Sequence, residues 1–450
     1  MRPGRAASAT LTTLVLALLA LSGAATAGRL RPVNRSVSAT PTFSNEVVRI
    51  FQANCQSCHH PGDIAPFSLM TYEDARPWAA MIRLMTSTRQ MPPWKPAADC
   101  SRFEGERRLT DLQIATLARW VDAGAPEGDP NDLPPPLVFD GGWALGTPDL
   151  VAAMPTAYTP PGDHDMYRCF PLELNAERRW ISAMDVRPGN RQIVHHVIAF
   201  VDTSGASLSL DAADPEPGYR CFGGPGFITT EMLGGWAPGA RPAPLPAGVA
   251  LELPANSRIV LQVHYHVHDD AHHVDPDRTE VALYDAEPPV QKKLRVLPLL
   301  NHTFTIPAGA SDYEVTASFT VPPFYSAHAH AIAPHMHLLG RSMKVEAVAP
   351  TGATTCMVRI DDWDFNWQGM YVYTDPVPLP QFTTVRLSAR YDNSSANPRN
   401  PNDPPKPVSW GEETTDEMCL AFIGVTFDAE NLAAGEPVDA SWIPPIPAGR

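Results

Sequence analysis

The sequence predicts a multidomain chain: a small all-α domain followed by two antiparallel β-sandwich domains of jelly-roll type. Three observations predict it. Helical signals are confined to the stretch before residue 130. Beyond the run Pro134-Pro-Pro136, short alternating or apolar segments recur between Pro, Gly, Asn and Asp. The chain also carries 49 prolines in 450 residues, which disfavours long helices and favours short strands joined by turns. A chain of this length exceeds what one core holds and corresponds to three domains of ordinary size.

The elements follow in order. Arg2 and Arg5 precede an apolar run from about Leu11 to Ala25, and Ala25-Thr26-Ala27 offers a small-residue cleavage site. Residues 1–27 therefore read as a secretory signal peptide. The run is shorter than the roughly 20 apolar residues of a membrane span. No stable membrane insertion is expected, and the mature protein is expected to be periplasmic or secreted. No cysteine precedes Cys55, so lipid attachment near the cleavage site is not expected. A leader covers 28–42.

The helical domain spans 43–130. Its first helix is expected to start near Ser44, with Val47, Ile50 and Phe51 on one face. Its last begins at the capping box Thr110-Asp-Leu-Gln113, carries Leu117, Trp120 and Val121 inward, and ends at Gly124 and Pro126. A proline-rich linker covers 131–150. The sandwiches are expected over 151–295 and 296–445. Strand signals include Ile193–Val201, Ala250–Leu253, Arg258–Val267, Lys344–Val348 and Thr384–Tyr391.

The net charge of −15 argues against a nucleic-acid partner. Seven cysteines include Cys55-Gln-Ser-Cys58-His59, the pattern of covalent heme attachment. Cys55 and Cys58 would form thioethers and His59 would bind the iron of one heme c. The alternative is a redox or zinc Cys-x-x-Cys beside a chance histidine. A downstream methionine would raise the potential relative to a second histidine. Among Met70, Met81, Met85 and Met91, the last is preferred, because Gln-Met91-Pro-Pro-Trp would fix a loop against the heme. Met81 and Met85 sit in a helical stretch and are expected to pack the core. The other five cysteines, Cys100, Cys169, Cys221, Cys356 and Cys419, leave one without a partner in the chain.

Histidines cluster in the second part of the chain. In a strand, residues i and i+2 share a face. His335 and His337 can thus meet one metal, as can His264 with His266 and His268, and His328 with His330. His195 and His196 are neighbours and can do so only if their strand is distorted or they use different ring nitrogens. His164, His272, His273 and His302 read as structural or solvated. Imidazoles with the thioether of Met418 suit copper cycling between Cu(I) and Cu(II). Zinc and a metal-free arrangement are the alternatives.

Residues from about 150 to 430 resemble the ascorbate-dependent copper monooxygenases, the family of peptidylglycine α-hydroxylating and dopamine β-monooxygenases. The resemblance rests on an ordered succession. Tyr167-Arg-Cys169 is followed by Ile193-Val-His195-His196-Val-Ile198, then by Trp236-Ala-Pro238 with Leu245-Pro-Ala-Gly248. Leu261-Gln-Val-His264-Tyr265 comes next. His335-Met-His337-Leu-Leu-Gly340, Asp364-Phe-Asn-Trp-Gln368 and Asp416-Glu-Met418-Cys419 complete it. The helical domain lies outside that resemblance and looks like an ordinary small cytochrome c.

The resemblance implies two copper ions across a solvent cleft between two sandwiches. His195, His196 and His264 would hold the electron-storing copper. His335, His337 and Met418 would hold the catalytic one, which meets oxygen and substrate. It leaves His266, His268, His328 and His330 outside the matched positions, where they are expected to support ligands or to be structural, and implies a Cys169–Cys221 disulfide. The chain departs from the peptide-amidating relatives at Ala333, Leu420 and Phe422, where those enzymes place an arginine and polar residues. A substrate carboxylate would find no cationic partner there. The family's partner for Cys419 is lost, with Tyr391 near its position, and Cys356 could substitute.

The resulting expectation is an exported copper monooxygenase. It would hydroxylate a C–H bond of a small neutral or apolar substrate, with electrons arriving through the heme from ascorbate or a redox protein. The alternative is a copper-binding or electron-transfer protein without substrate chemistry.

Overall fold

The computed structural model describes residues 40–448, apart from 140, 162–164, 230, 267–273, 412 and 447. The expected signal peptide and nearly all of the leader, with His164, His268, His272 and His273, lie outside the described residues. Among the described residues no helix is long and apolar enough to cross a membrane.

The N-terminal part is built from short helices. A π-turn at Phe43–Val47 runs into helix Val48–Asn54, and Val47, Ile50 and Phe51 are buried as their spacing requires. Helix Asp111–Asp122 starts at the expected capping box. The Thr110 hydroxyl accepts the Gln113 N–H, and the Gln113 side chain accepts the Thr110 N–H. Leu117 and Trp120 close over Phe43, Val48 and Phe51 to form this unit's core. Helix Ala79–Ser87 corrects one expectation. Its inward face carries Ile82 and Thr86, so Met81, one position earlier, points out and is 47% exposed. Met85 is half-buried.

The rest of the chain is mostly β-structure, with an α-helix, Ala206–Ala213, that corrects the expectation of helices only before residue 130, and most of the strands fall where alternating apolar segments stood in the sequence. The first sandwich has two five-stranded sheets. One runs in the order Leu150–Ala153, Glu280–Asp285, Arg179–Arg187, Val249–Leu253, Lys292–Lys293. The other runs Tyr219–Arg220, Met166–Asn175, Ser257–Tyr265, Val194–Asp202, Met232–Trp236. Leu172, Val197, Leu261 and Val263 of the second sheet meet Ile181, Leu251, Val281 and Leu283 of the first in one core.

The second sandwich has two four-stranded sheets. One is ordered Arg295–Asn301, Cys419–Phe427, Ala327–His335, Tyr371–Leu379, and the other Tyr313–Thr320, Thr384–Tyr391, Gly340–Val348, Thr354–Ile360. Among the described strands of both sandwiches, pairing is antiparallel except where Lys292–Lys293 joins Val249–Leu253.

The helical part does not hang free. Its segment 94–104 is stitched onto the second sandwich. Ala97 N–H donates to Arg359 O, Glu104 N–H to Val372 O, and Thr374 N–H to Arg102 O. Trp94 and Phe103 join that sandwich's core. Cys100 is disulfide-bonded to Cys356 in the same region. This corrects the expectation that Cys356 could serve Cys419, which is buried and free beside Tyr391. Cys169 pairs with Cys221, as the resemblance implied.

The proline segment also packs back. Arg49 donates to Asp132 O and Gln52 to Pro135 O, while the His60 and Phe139 rings stack at 4.0 Å.

Candidate metal centres

Three histidines converge on the sheet of the first sandwich that faces the second. His264 lies near the end of the central strand Ser257–Tyr265 and is paired across the ladder with His196. The strand carrying His195 and His196 slips register between Val194 and His196. This one-residue bulge is the distortion that neighbouring histidines need, because a bulge re-aims one side chain toward its neighbour's face.

The Nδ1 of His196 lies 3.3 Å from both the His195 Nδ1 and the His264 Nδ1. One imidazole nitrogen carries a single in-plane proton or lone pair, so hydrogen bonding alone cannot satisfy both approaches. A cation at the centre can, and the donor set suits copper or zinc. Among the described residues this is a cluster of the size and spacing that holds a metal ion.

Asp165 backs this cluster. Its Oδ1 lies 3.6 Å from the His264 Nε2 and 2.6 Å from the His266 Nδ1, and it also accepts a hydrogen bond from Thr414. Burial raises the Asp165 carboxyl, but the imidazoles of His264 and His266 and the Thr414 hydroxyl outweigh it and hold the group well below the usual carboxylate range. A carboxylate behind a ligating imidazole fixes the ring's tautomer and orientation. Thr414 belongs to the loop that leads to Met418, so Asp165 also links the two sandwiches.

The second cluster sits in the second sandwich. His335 ends the strand Ala327–His335, and His337 follows two residues later, with ring centroids 5.0 Å apart. The antiparallel register pairs His335 with Leu420. Met418 immediately precedes that partner strand, two residues before Leu420. The His335 Nδ1 is bonded to the Gln368 Oε1 and the His337 Nδ1 to the Asp416 carbonyl, leaving each Nε2 for a ligand.

Glu417 organises this end. It is fully buried, and its carboxylate accepts the N–H groups of His337, Leu339 and Met418. Ala333 pairs with Phe422 and His335 with Leu420, so the ladder positions beside His335 are apolar where the amidating relatives are polar.

One ring touches both clusters. Phe365 stacks on His195 at 5.1 Å and meets His337 edge-on at 5.7 Å. At this point an aromatic side chain occupies what the resemblance implied as solvent cleft.

In the helical part, the His59 Nδ1 is bonded to the Phe67 carbonyl at 3.0 Å, which directs Nε2 away for a metal. Phe67 lies against His59 and stacks on Trp78 at 4.2 Å. Trp78, Met81 and Leu84 leave apolar surface exposed on this unit. Cys55 and Cys58 are not joined to each other. These features fit a covalently held heme. Met91 is half-buried in the turn after helix Ala79–Ser87, where its N–H donates to Met85 O.

Asp165, Phe365 and Glu417 had no assigned role in the sequence reading. Glu417 adjoins Met418 in Asp416-Glu-Met418-Cys419, whereas Phe365, in Asp364-Phe-Asn-Trp-Gln368, lies 28 residues from His337 and 170 from His195. Asp165 had no such signal.

Burial lowers His195 to about 3 and His335 to about 4, and holds His196, His264 and His337 below the ordinary imidazole range as well. All five are therefore neutral, which is the ligating form. In the unfolded chain they would take up protons near pH 6.5. The metal-free protein should thus lose stability as pH falls from about 6.5 toward 4, because the unfolded state binds the extra protons. Calorimetry of metal-stripped protein should show its unfolding midpoint falling between about pH 7 and 5. A flat midpoint would mean that these imidazoles titrate as if solvated.

Residues 296–431 match the family model described as copper type II ascorbate-dependent monooxygenase, C-terminal domain. The match supports an oxidoreductase of the copper monooxygenase class. The matched range includes His335, His337 and Met418, and it leaves out His195, His196, His264 and the Cys55–His59 motif. The family implies copper, dioxygen, an organic substrate and an ascorbate-type donor.

No curated protein matches the chain. Among solved structures it is similar to the major capsid protein P2 of bacteriophage PM2, at 9% identity over 62% of this chain and 97% of that one, with TM-score 0.24. PNGF-II matches at 9% identity over 62% and 65%, with TM-score 0.23. An allantoicase matches at 10% over 52% and 79%, with TM-score 0.16. Likenesses this weak decide neither fold nor function.

Proposed function

We propose that this protein is an exported copper monooxygenase that hydroxylates a C–H bond of a small neutral or apolar substrate and draws electrons through its own c-type heme. The observation that carries the reading is the pair of imidazole clusters meeting on Phe365, one of them within the matched domain. Balanced, the reaction consumes the substrate C–H, one O2, two electrons and two protons, and yields the alcohol and water. Copper held by His335, His337 and Met418 would supply the one-electron chemistry that activates oxygen.

The chain's own groups do the positioning. Glu417 fixes the turn that carries His337 and the backbone of Met418. Gln368 sets the His335 ring. Ala333, Leu420 and Phe422 give the substrate an apolar wall without a cation. His195, His196 and His264 would hold the second copper, which would supply the second electron, and Phe365 fills the space between the two clusters.

The heme role is supported by where the Cys55–His59 loop docks. Asp63 of that loop is ion-paired with Arg191 at 3.0 Å, four residues before His195. Arg107 donates to Gly239 O of the first sandwich at 2.7 Å. The heme-bearing loop and the His195 strand are thus fastened to each other. Reversing one charge, Arg191→Glu, should weaken this docking by about 1 kcal/mol and slow heme oxidation by the copper sites roughly fivefold. Adding Asp63→Arg should restore the rate, as stopped-flow absorbance would show. Equal rates in all three proteins would remove this contact from the electron path.

The reading itself is tested on heme-matured protein by counting copper and iron and following oxygen uptake with candidate substrates. Two coppers per iron and substrate-coupled oxygen uptake are expected. Two coppers with no hydroxylated product from any substrate would favour copper binding or electron transfer without substrate chemistry. Copper at background level would overturn the reading.

A further inference from the structure

The strand Ala327–His335 carries a second His-x-His, His328 and His330, at the end away from His335. In a regular strand these two would face opposite to His335, since their numbers differ in parity. The ladder slips by one residue between Ala329 and Ala331 on both neighbouring strands. The core side confirms the switch: Ala327 and Ala329 pack inward before it, and Ile332 and Met336 after it. His328, His330 and His335 therefore share the face turned away from that core.

At His328 and His330 this face opens on a cleft of about 240 Å³ between the sandwiches. Pro246–Val249, Gln291 and Lys292 line it from the first sandwich, and the two histidines, Thr426 and Asp428 from the second.

Each imidazole has one nitrogen tied. The His328 Nδ1 is 2.6 Å from the Asp428 Oδ1, and the His330 Nε2 is 2.9 Å from the Thr426 Oγ1. His330 is only 6% exposed, and among the described residues its Nδ1 has no hydrogen-bond partner. The His335 and His337 pair shows the same pattern, with both Nδ1 atoms held and both Nε2 atoms left.

The rest of the cleft disfavours an oxyanion. The Lys292 ammonium donates to the carbonyls of Phe427, Asp428 and Glu430, so its three protons are already taken up. The Asp428 carboxylate on the rim repels anions. Burial lowers His330 to about 4, which keeps it neutral. Two imidazoles, one oriented by a carboxylate and one by a hydroxyl, form a donor set for a borderline-soft divalent cation.

We propose that His328 and His330 bind a third transition-metal ion in this cleft, a divalent ion of the zinc or copper type, with solvent completing its coordination. The site is separate from both clusters assigned above and does not depend on their function. The test is zinc uptake by copper-loaded full-length protein, counted by mass spectrometry after gel filtration and titrated by calorimetry. Wild type should take up one zinc ion more than His328→Ala or His330→Ala, with zinc affinity weakened about tenfold or more in each variant. Copper content should stay the same in all three. His328 is half-exposed, so its replacement does not endanger folding if the buried His330→Ala does. Equal zinc uptake by wild type and the His328→Ala variant would overturn the proposal, as would no zinc uptake by wild type. The difference between wild type and variant isolates this site even if the other clusters hold no copper.

Discussion

Replacing Met418 by isoleucine is expected to abolish hydroxylation while leaving the heme spectrum and the copper at His195, His196 and His264 unchanged. Isoleucine keeps the bulk and removes the thioether, the soft ligand that favours Cu(I). The local fold should tolerate it. Met418 is half-buried at the entry of strand Cys419–Phe427, and its carbonyl, which the substitution keeps, accepts the Tyr391 hydroxyl at 2.7 Å. The two histidines remain, so some copper can still bind, in a site poorer for the reduced ion. Turnover should fall by two orders of magnitude or more, about 3 kcal/mol of barrier. The checks are substrate-coupled oxygen uptake, copper content and the heme absorption bands on one preparation. Turnover at the wild-type rate would remove Met418 from the site.

Where an element is coded by nearby residues, it was legible. The capping box at Thr110 lies within four residues of itself, and the helix starts there. Expected strand Thr384–Tyr391 matches its observed bounds, and Ile193–Val201 lies within a residue of Val194–Asp202. Alternation records which face is buried, and burial sets the strand.

What was not legible depends on long-range geometry. Nothing local announces the bulge that turns His195 onto the face of His196, and the slip between Ala329 and Ala331 is equally silent. Cys100 and Cys356 are 256 residues apart, and their pairing follows from segment 94–104 docking on the second sandwich. Met81 fell outward because a helix of this length fixes its buried stripe by what lies beneath it, and Ile82 and Thr86 fit there. The histidines of both centres were visible by type and spacing. The groups that orient them were not, because Asp165 and Gln368 are far in sequence from the rings they hold.

Glu417 is the strongest case of such a hidden support, and Glu417→Gln should show it. The carboxylate accepts His337 N–H at 2.9 Å and Met418 N–H at 3.2 Å on Oε2, and Leu339 N–H at 2.6 Å on Oε1. Burial pushes its carboxyl up to about 8, and the three N–H groups pull against that rise because they donate to the ionised form. Glutamine has nearly the same shape but must turn a donor NH2 toward at least one of these donors. A buried N–H left without an acceptor costs about 1–3 kcal/mol, and the facing donors add repulsion. The variant should therefore lose about 2–4 kcal/mol of stability above about pH 8, where Glu417 is ionised, and less at neutral pH, where its own proton already faces one of these donors. It should also lose copper from His335, His337 and Met418, because the turn holding two of these residues loosens. The first cluster rests on Asp165 and should keep its copper, so copper should fall from two ions to one while the heme signal stays. Denaturant unfolding and metal counts on the same sample decide it. Wild-type stability with both coppers retained would mean that Glu417 already carries a proton and that its N–H contacts do not hold the site.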